Sequence, residues 1–375
     1  AFKQDIYRQV AEFDAELKKQ LDPKKKTVVF WSAFNTYRSH FGSLPKLLKE
    51  KYNVVVVVND EINDEFETQN MRLALPWRLQ YNGETVFLDE IKLSNIDLII
   101  TVDTVGYLDG KIDKNFISPT AKRMYIPHSM IIATGMSDIY DFFVVPSKMM
   151  VDEYEQRLAN NGKKQVLIKA GYPRFDNSLN KFDHKVVPDK ILYAPSLRYA
   201  GAPNEVNQYG GFDWQVMEAL HEATGLDVIY RAHPLASKYN HQIYNLIKAK
   251  MATYPFVKLA ADNVSDYEQA KFIVTDISTT AYTFSFQSNR PSIFYAPLEV
   301  EIPVVKYADS VGCVVKTIDE LKQRAVQYAN HQPSEQIMKF RDENIFNVGG
   351  SEAVIVESID AILSGKKHKS WSSVN

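Results

Sequence analysis

The sequence predicts an α/β protein of two domains, each a parallel sheet with helices on both faces. Three observations predict it. Short apolar runs of strand length recur along the chain, among them 54–58, 98–102, 142–145, 165–169 and 191–193. Segments of helical character separate them, such as 147–158 and 213–224. Apolar strands joined through helices are what a parallel sheet buried on both sides requires. Finally, 375 residues suit about two domains of roughly 100–200 residues each, and a polar stretch, 177–189, separates two such series.

The chain opens with Ile6, Val10, Phe13 and Leu17 on one helical face, among Lys3, Arg8, Lys18 and Lys19. Lys24, Lys25 and Lys26 follow Pro23. Residues 1–26 therefore read as a basic amphipathic helix, either docked on its own domain or resting on an anionic membrane surface. The N-terminal domain, 27–176, has strands expected at 27–34, 54–58, 98–102, 124–126, 142–145 and 165–169, with Ser147 as a helix cap. A turn at 171–176 leads into the linker 177–189. The C-terminal domain, 190–348, repeats the alternation. Its strands are expected at 191–193, 227–230, 256–259, 272–274, 293–295 and 311–315. Its helices are expected at 213–224, 238–251, 281–287, 318–329 and 335–343. The last segment, 349–375, begins Gly349-Gly350-Ser351, continues as a helix over 351–363, and is expected to pack back on the N-terminal domain. Two such domains imply a cleft lined by the C-terminal ends of both sheets, where α/β folds bind ligands.

Composition removes several classes of function. A net charge of −2 gives no reason to expect nucleic acid as a partner. One cysteine, Cys313, excludes an internal disulfide, disfavours a cysteine zinc site, and reads as a small buried hydrophobe. No apolar run approaches the ~20 residues that span a bilayer. The sequence has no Gly-x-Gly-x-x-Gly or Walker loop and no Gly-x-Ser-x-Gly elbow. No Asp-x-Asp pair follows a strand, so a metal-held diphosphate is not supported, and no cofactor is expected.

The informative polar residues sit at strand ends. His128 follows Met124-Tyr125-Ile126-Pro127, and His233 follows Tyr230-Arg231-Ala232 and precedes Pro234. Arg198 follows the strand 191–193 through Ala194-Pro195-Ser196-Leu197. The strand 272–274 runs into Thr275-Asp276-Ile277-Ser278-Thr279-Thr280 and then a helix. Histidine suits proton transfer near neutral pH. Arginine suits a bidentate grip on phosphate. A hydroxyl-rich helix start offers free N–H groups and hydroxyls to a diphosphate. Singly, each has a plainer meaning: a cap, a turn, a solvated charge. Together they fit the handling of a phosphorylated or nucleotide-activated donor.

In order, Gly171-Tyr172-Pro173-Arg174, Tyr193-Ala194-Pro195-Ser196-Leu197-Arg198, Arg231-Ala232-His233-Pro234, Thr275-Asp276-Ile277-Ser278-Thr279, Arg290-Pro291-Ser292-Ile293-Phe294-Tyr295 and the Gly-Gly-Ser helix start at 349–351 resemble the CDP-glycerol glycerophosphotransferase family, the teichoic-acid polymerase and primase group. The resemblance covers about 120–363. It implies a GT-B-type fold, two Rossmann-like domains facing each other across a cleft, with no metal requirement. The implied reaction moves a polyol phosphate from a CDP-linked donor to a polysaccharide or lipid-linked acceptor and releases CMP. By position, His128 would be the general base on the acceptor hydroxyl, and His233 would stabilise the diphosphate or leaving group. Arg198, Ser278 and Thr279 would hold the phosphates, and Asp276 and the Arg290 turn would shape the nucleotide side. Arg231 and Ser351 complete the candidate donor- and phosphate-binding set. The implied setting is cytoplasmic, peripheral on the inner face of the cell membrane, in cell-envelope polymer synthesis. The family usually has His-Gly where this chain has His128-Ser129, and Ser-Ser where it has Ser278-Thr279. Donors such as CDP-ribitol or a nucleotide-linked sugar stay open. So does a GT-B glycosyltransferase of capsule or lipopolysaccharide assembly, and so does a non-catalytic nucleotide-binding protein.

Overall fold

The computed structural model describes residues 2–32, 35–58, 72–74, 78–81, 84–87, 93–102, 118–133, 139–197, 213–234, 236–239, 241–297, 303–330 and 334–374. The chain divides into two compact units, one of 1–176 with 345–375 and one of 177–344.

The first unit holds β1 (Thr27–Ser32), β2 (Asn53–Val58), β3 (Arg72–Ala74), a two-stranded hairpin of β4 (Arg78–Tyr81) and β5 (Glu84–Phe87), then β6 (Leu98–Thr101), β7 (Lys122–Tyr125), β8 (Phe142–Val145) and β9 (Gln165–Lys169). Its main sheet runs β16-β9-β8-β7-β6-β1-β2-β3, where β16 is Trp371–Val374. Every pairing is parallel except β16 on β9, which sets Trp371 opposite Ile168. Alternate residues feed the two faces, as the strand period demands. Val28, Phe30, Met124, Val144 and Ile168 pack with Leu44 and Leu48 of the helix Leu44–Leu48 and with Ile355 and Ile359 of the helix Ser351–Leu363. Tyr125, Phe143, Val145 and Leu167 pack with Met150 and Tyr154 of the helix Lys148–Leu158. The N-terminal helix, Phe2–Gln20, docks on this unit. Leu17 is buried, and Asp14 accepts hydrogen bonds from the Ser94 N–H and hydroxyl at 2.8 and 2.7 Å. Among the described residues no helix is long and apolar enough to cross a membrane.

The second unit is built on β10 (Lys190–Tyr193), β11 (Asp227–Tyr230), β12 (Val257–Leu259), β13 (Ala270–Thr275), β14 (Ser292–Tyr295) and β15 (Gly312–Val315). All pair in parallel, in the order β12-β11-β10-β13-β14-β15. Counted from β10 this is the Rossmann order, and the order reverses between β10 and β13. Ile191, Val228, Phe272 and Ile293 form a core with Val216 and Leu220 of the helix Asp213–Thr224 and Leu321 and Ala325 of the helix Ile318–Ala329. Behind them lies the helix Thr280–Ser288, with Ala281, Phe284 and Phe286 buried and the Tyr282 ring 5.5 Å from Phe294.

Some boundaries differ from the sequence expectation. The expected turn at 171–176 and the head of the expected linker form a helix, Pro173–Lys181, anchored by buried Phe175. Proline is favoured at a first helical position, so Pro173 starts this helix where it reads as a turn. The helix expected over 238–251 is described as Ala236–Tyr239 and His241–Met251. The strands β3, β4, β5 and β16 and the helix Asn263–Gln269 are additions. Cys313 is half-buried, and burial pushes its thiol pKa up.

Candidate functional site

In the first unit, chemistry gathers at the C-terminal ends of β1, β7 and β9. After β7 the chain passes through Ile126 and Pro127 to His128, which is half-buried. The loop beyond is pinned. The Ser129 hydroxyl accepts from the N–H groups of Ile131 and Ile132 at 3.2 Å each, and Ser147 donates its hydroxyl to the Met130 carbonyl at 2.6 Å. A side chain that the sequence reading passes over, His40, stands beside His128. It belongs to a short 3-10 helix, Asn35–Phe41, following β1. The two imidazole rings are 6.2 Å apart, nearly edge to face. His40 is 2% exposed. Its Nδ1 lies 2.8 Å from the Tyr172 hydroxyl and its Nε2 3.4 Å from Nη1 of Arg174. Burial, the Arg174 charge and His128 hold its pKa well below the ordinary histidine value.

The same unit explains Ser351. Its N–H donates to the Asp176 carboxylate at 2.9 Å and its hydroxyl donates to the same oxygen, while the Gly349 N–H donates to the other at 2.7 Å. Asp176 is buried. The expected anion at this helix start is the protein's own carboxylate, so Ser351 serves the fold rather than a donor phosphate.

In the second unit the polar residues collect where the strand order reverses. The Thr275 hydroxyl donates to the Ala194 carbonyl at 2.6 Å, tying the end of β13 to the end of β10. Asp276, 2% exposed, accepts from the Ser196 hydroxyl at 2.6 Å and from the Ser196 N–H at 3.1 Å. Asp276 thus fixes the loop. The helix Thr280–Ser288 then begins with half-buried Ser278 and Thr279 ahead of it. The Ser278 hydroxyl donates to the Thr280 hydroxyl at 3.0 Å and accepts the Thr280 N–H at 3.3 Å, whereas Thr279 makes no side-chain cap bond. His233 lines a cavity of about 210 Å³ with Tyr230, Pro234, Ser237, Tyr244 and Leu259. Burial lowers its pKa.

Arg290 is committed to the protein itself, and Arg231 in part, for its buried Nη1 has no hydrogen-bond partner among the described residues. Arg231 pairs with buried Asp266 at 2.7 Å, bonds the Asp262 carbonyl at 3.1 Å, and stacks on Tyr267. Arg290 donates from one nitrogen to the carbonyls of Tyr267, Glu268 and Ala270 at 2.8–2.9 Å, clamping the approach to β13. In sequence Arg231 reads as a phosphate-binding residue and the Arg290 turn as shaping the nucleotide side, because a buried carboxylate or a carbonyl fork leaves no local trace. Arg198 lies outside the described residues. Among the described residues no group of three His, Cys, Asp or Glu side chains is placed to hold a metal ion.

Over residues 124–342, more than half of the chain, the sequence matches the family described as CDP-glycerol:poly(glycerophosphate) glycerophosphotransferase. The chain belongs to this family. As a glycerophosphotransferase-family enzyme it is a transferase with a CDP-linked donor. The matched span holds His128, Arg174, His233 and the elbow 275–280, and it leaves out His40 and Ser351. No curated protein matches the sequence. Solved structures share the fold, two Rossmann-like domains of GT-B type. The UDP-GlcNAc 2-epimerase of Methanocaldococcus jannaschii, in complex with UDP-GlcNAc and UDP, is similar with a TM-score of 0.59 at 12% identity, covering 89% of this chain and 99% of that one. The wall teichoic acid polymerase TagF, a histidine-to-asparagine variant soaked with CDPG, has a TM-score of 0.56 at 15% identity, covering 97% and 93%. The S. aureus MnaA–UDP structure has 0.55 at 13%, covering 90% and 97%.

Proposed function

We propose that this enzyme transfers glycerol phosphate from CDP-glycerol to a hydroxyl of a growing cell-surface polymer of the teichoic acid type. The observation that carries the reading is the helix start at the reversal point of the second sheet. The half-buried Ser278 and Thr279 stand there, and the Thr279 hydroxyl makes no cap bond, so a helix start with its partial positive charge and two hydroxyls is a seat suited to a diphosphate. In the step, the acceptor oxygen forms a bond to the phosphorus that carries glycerol. The bond from that phosphorus to the bridging oxygen breaks, and CMP leaves with the electron pair. His128 takes the proton from the acceptor hydroxyl. His233, whose pKa burial lowers, gains a proton more readily once a diphosphate lies near and then steadies the departing charge. Ser278 and Thr279 hold the phosphates. Asp276 positions their loop through Ser196.

A polysaccharide or lipid-linked acceptor fits the family's chemistry, as does peripheral attachment to the inner face of the membrane through Lys18, Lys19 and Lys24 around the first helix. Sedimentation with anionic vesicles, weakened when these three lysines become glutamates, supports that attachment.

The reaction is tested by phosphorus NMR of the products from CDP-glycerol and a glycerophosphate-primed acceptor. A new phosphodiester together with CMP is expected. A glycoside product without new phosphorus bonds sinks the reading and favours a glycosyltransferase. His128→Ala and His233→Ala should each lose at least a hundredfold in turnover, the ordinary scale of proton-transfer and charge-stabilising groups, while His128→Ala still binds CDP. Unaltered turnover in both points to a non-catalytic nucleotide binder.

A further inference from the structure

Arg174 stands in the Gly171-Tyr172-Pro173-Arg174 motif, half-buried, two residues past the tyrosine that bonds His40. Its one partner among the described residues is Nε2 of His40, at 3.4 Å. A guanidinium can only donate, so that nitrogen must accept, and the proton of the neutral ring sits on Nδ1. Nδ1–H then donates to the Tyr172 oxygen at 2.8 Å. A protonated His40 would aim an N–H at an N–H, which the geometry opposes. Arg174 is therefore steered by a neutral group that leaves its positive charge uncompensated. The carboxylate two residues on, Asp176, and Glu352, which feels the Asp176 charge, are engaged elsewhere. Asp176 accepts from Gly349 and Ser351, and Glu352 accepts from the Ser43 N–H at 2.8 Å. An arginine partly removed from water without an anion is costly, and a phosphoryl group is the partner its planar fork fits.

We propose that Arg174 is a binding residue for a phosphoryl group beside His128, and that His40 and Tyr172 are the positioning residues that aim it. The assignment to this reaction rests on the glycerophosphotransferase reading. The phosphoryl group belongs either to the CDP-linked donor or to a phosphate already on the acceptor. Tyr172 holds the His40 ring in place at Nδ1, Nε2 of His40 aims the guanidinium, and the guanidinium holds an oxygen of the anion. Gly171 lets the chain turn into this arrangement with φ of +112°.

Calorimetric titration of the full chain separates the sources, with CDP-glycerol as donor probe and glycerol 3-phosphate as acceptor-phosphate probe. Arg174→Gln should weaken one of the two by at least tenfold with little change in melting temperature, and the probe affected names the source. His40→Phe should weaken the same probe by a smaller factor, and His40→Gln, whose amide oxygen can still accept from Arg174, should recover most of it. Wild-type affinity for both probes in Arg174→Gln overturns the proposal, as does a wild-type protein that binds neither. If Arg174→Gln does not fold, the His40 pair decides: equal binding in Phe and Gln variants overturns it, and loss in Phe with recovery in Gln supports it. Arg174-dependent binding of glycerol 3-phosphate without any binding of CDP-glycerol upholds the site while removing the donor reading.

Discussion

At His40 the fold withholds a proton. Burial first, then the Arg174 charge and His128, hold this imidazole's pKa well below 6.5, whereas in the unfolded chain it titrates near about 6.5. Between those two values the unfolded state binds more protons, so stability rises with pH there. The contribution is complete above about pH 6.5 and is lost as pH falls from there toward the folded value. Stability should therefore fall on acidification from about pH 7 to pH 5, by up to about 1.4 kcal/mol per pH unit for one such site, and the melting temperature should drop with it. His40→Gln should flatten the profile. His233, lowered in the same direction by burial, keeps part of the slope. An unchanged slope in His40→Gln removes His40 as its source. Asp176 presents the opposite charge. Its carboxylate takes two backbone N–H groups and a hydroxyl in a buried place. Asp176→Ala orphans all three, and a loss of roughly 3 kcal/mol is expected in denaturant unfolding of the first unit. A loss no larger than that of an exposed aspartate such as Asp183 contradicts this account.

Among elements, the start of the helix Ser351–Leu363 depends on a close approach. A Cβ on Gly171 would lie 2.5 Å from the Phe346 carbonyl oxygen and 2.8 Å from the Ser351 Cβ, at a φ of +112° that side chains rarely adopt. Gly171→Ala should then cost on the order of 2–4 kcal/mol and loosen 346–351, seen as faster amide exchange there. Exchange at those amides as slow as in the unmodified chain argues against it. The helix Thr280–Ser288 makes a different forecast. Thr279 contributes no cap bond, so Thr279→Ala should leave stability within about 0.5 kcal/mol. It should still weaken CDP-glycerol binding severalfold. A fall in stability with intact binding would make Thr279 structural after all. The contrast between these two helix starts marks what the sequence makes legible. The elbow at 275–280 is contiguous, so its hydroxyls are visible together. The partner of Ser351 is 175 residues away, and His40 meets Tyr172 and Arg174 across 132 and 134 residues. Nothing local marks either. The parallel strands are legible because burial on both faces leaves apolar runs such as Val54–Val57. The strand Trp371–Val374 is not, because WSSV is mixed in polarity and becomes a strand only by pairing antiparallel with Gln165–Lys169.

For the whole molecule, each unit has its own sheet and its own core, and the candidate groups divide between them: His40, His128 and Arg174 in the first, Ser196, His233, Ser278 and Thr279 in the second. A nucleotide that binds the folded second unit stabilises it by mass action, about 2.7 kcal/mol at a hundred times its dissociation constant. The diphosphate seat proposed at the reversal point gives that stabilisation an address. CDP should slow amide exchange at 194–197 and 276–281, where the ends of β10 and β13 are tied through Thr275 and Asp276. The helix Lys148–Leu158 on the first unit's sheet should exchange as before. UDP, which offers the same diphosphate with a different base, should protect the same amides only at much higher concentration, because the donor of this family carries cytidine. Equal protection by UDP and CDP would leave the phosphate seat standing and remove the cytidine preference. Protection confined to segments away from both strand ends would move the donor site itself.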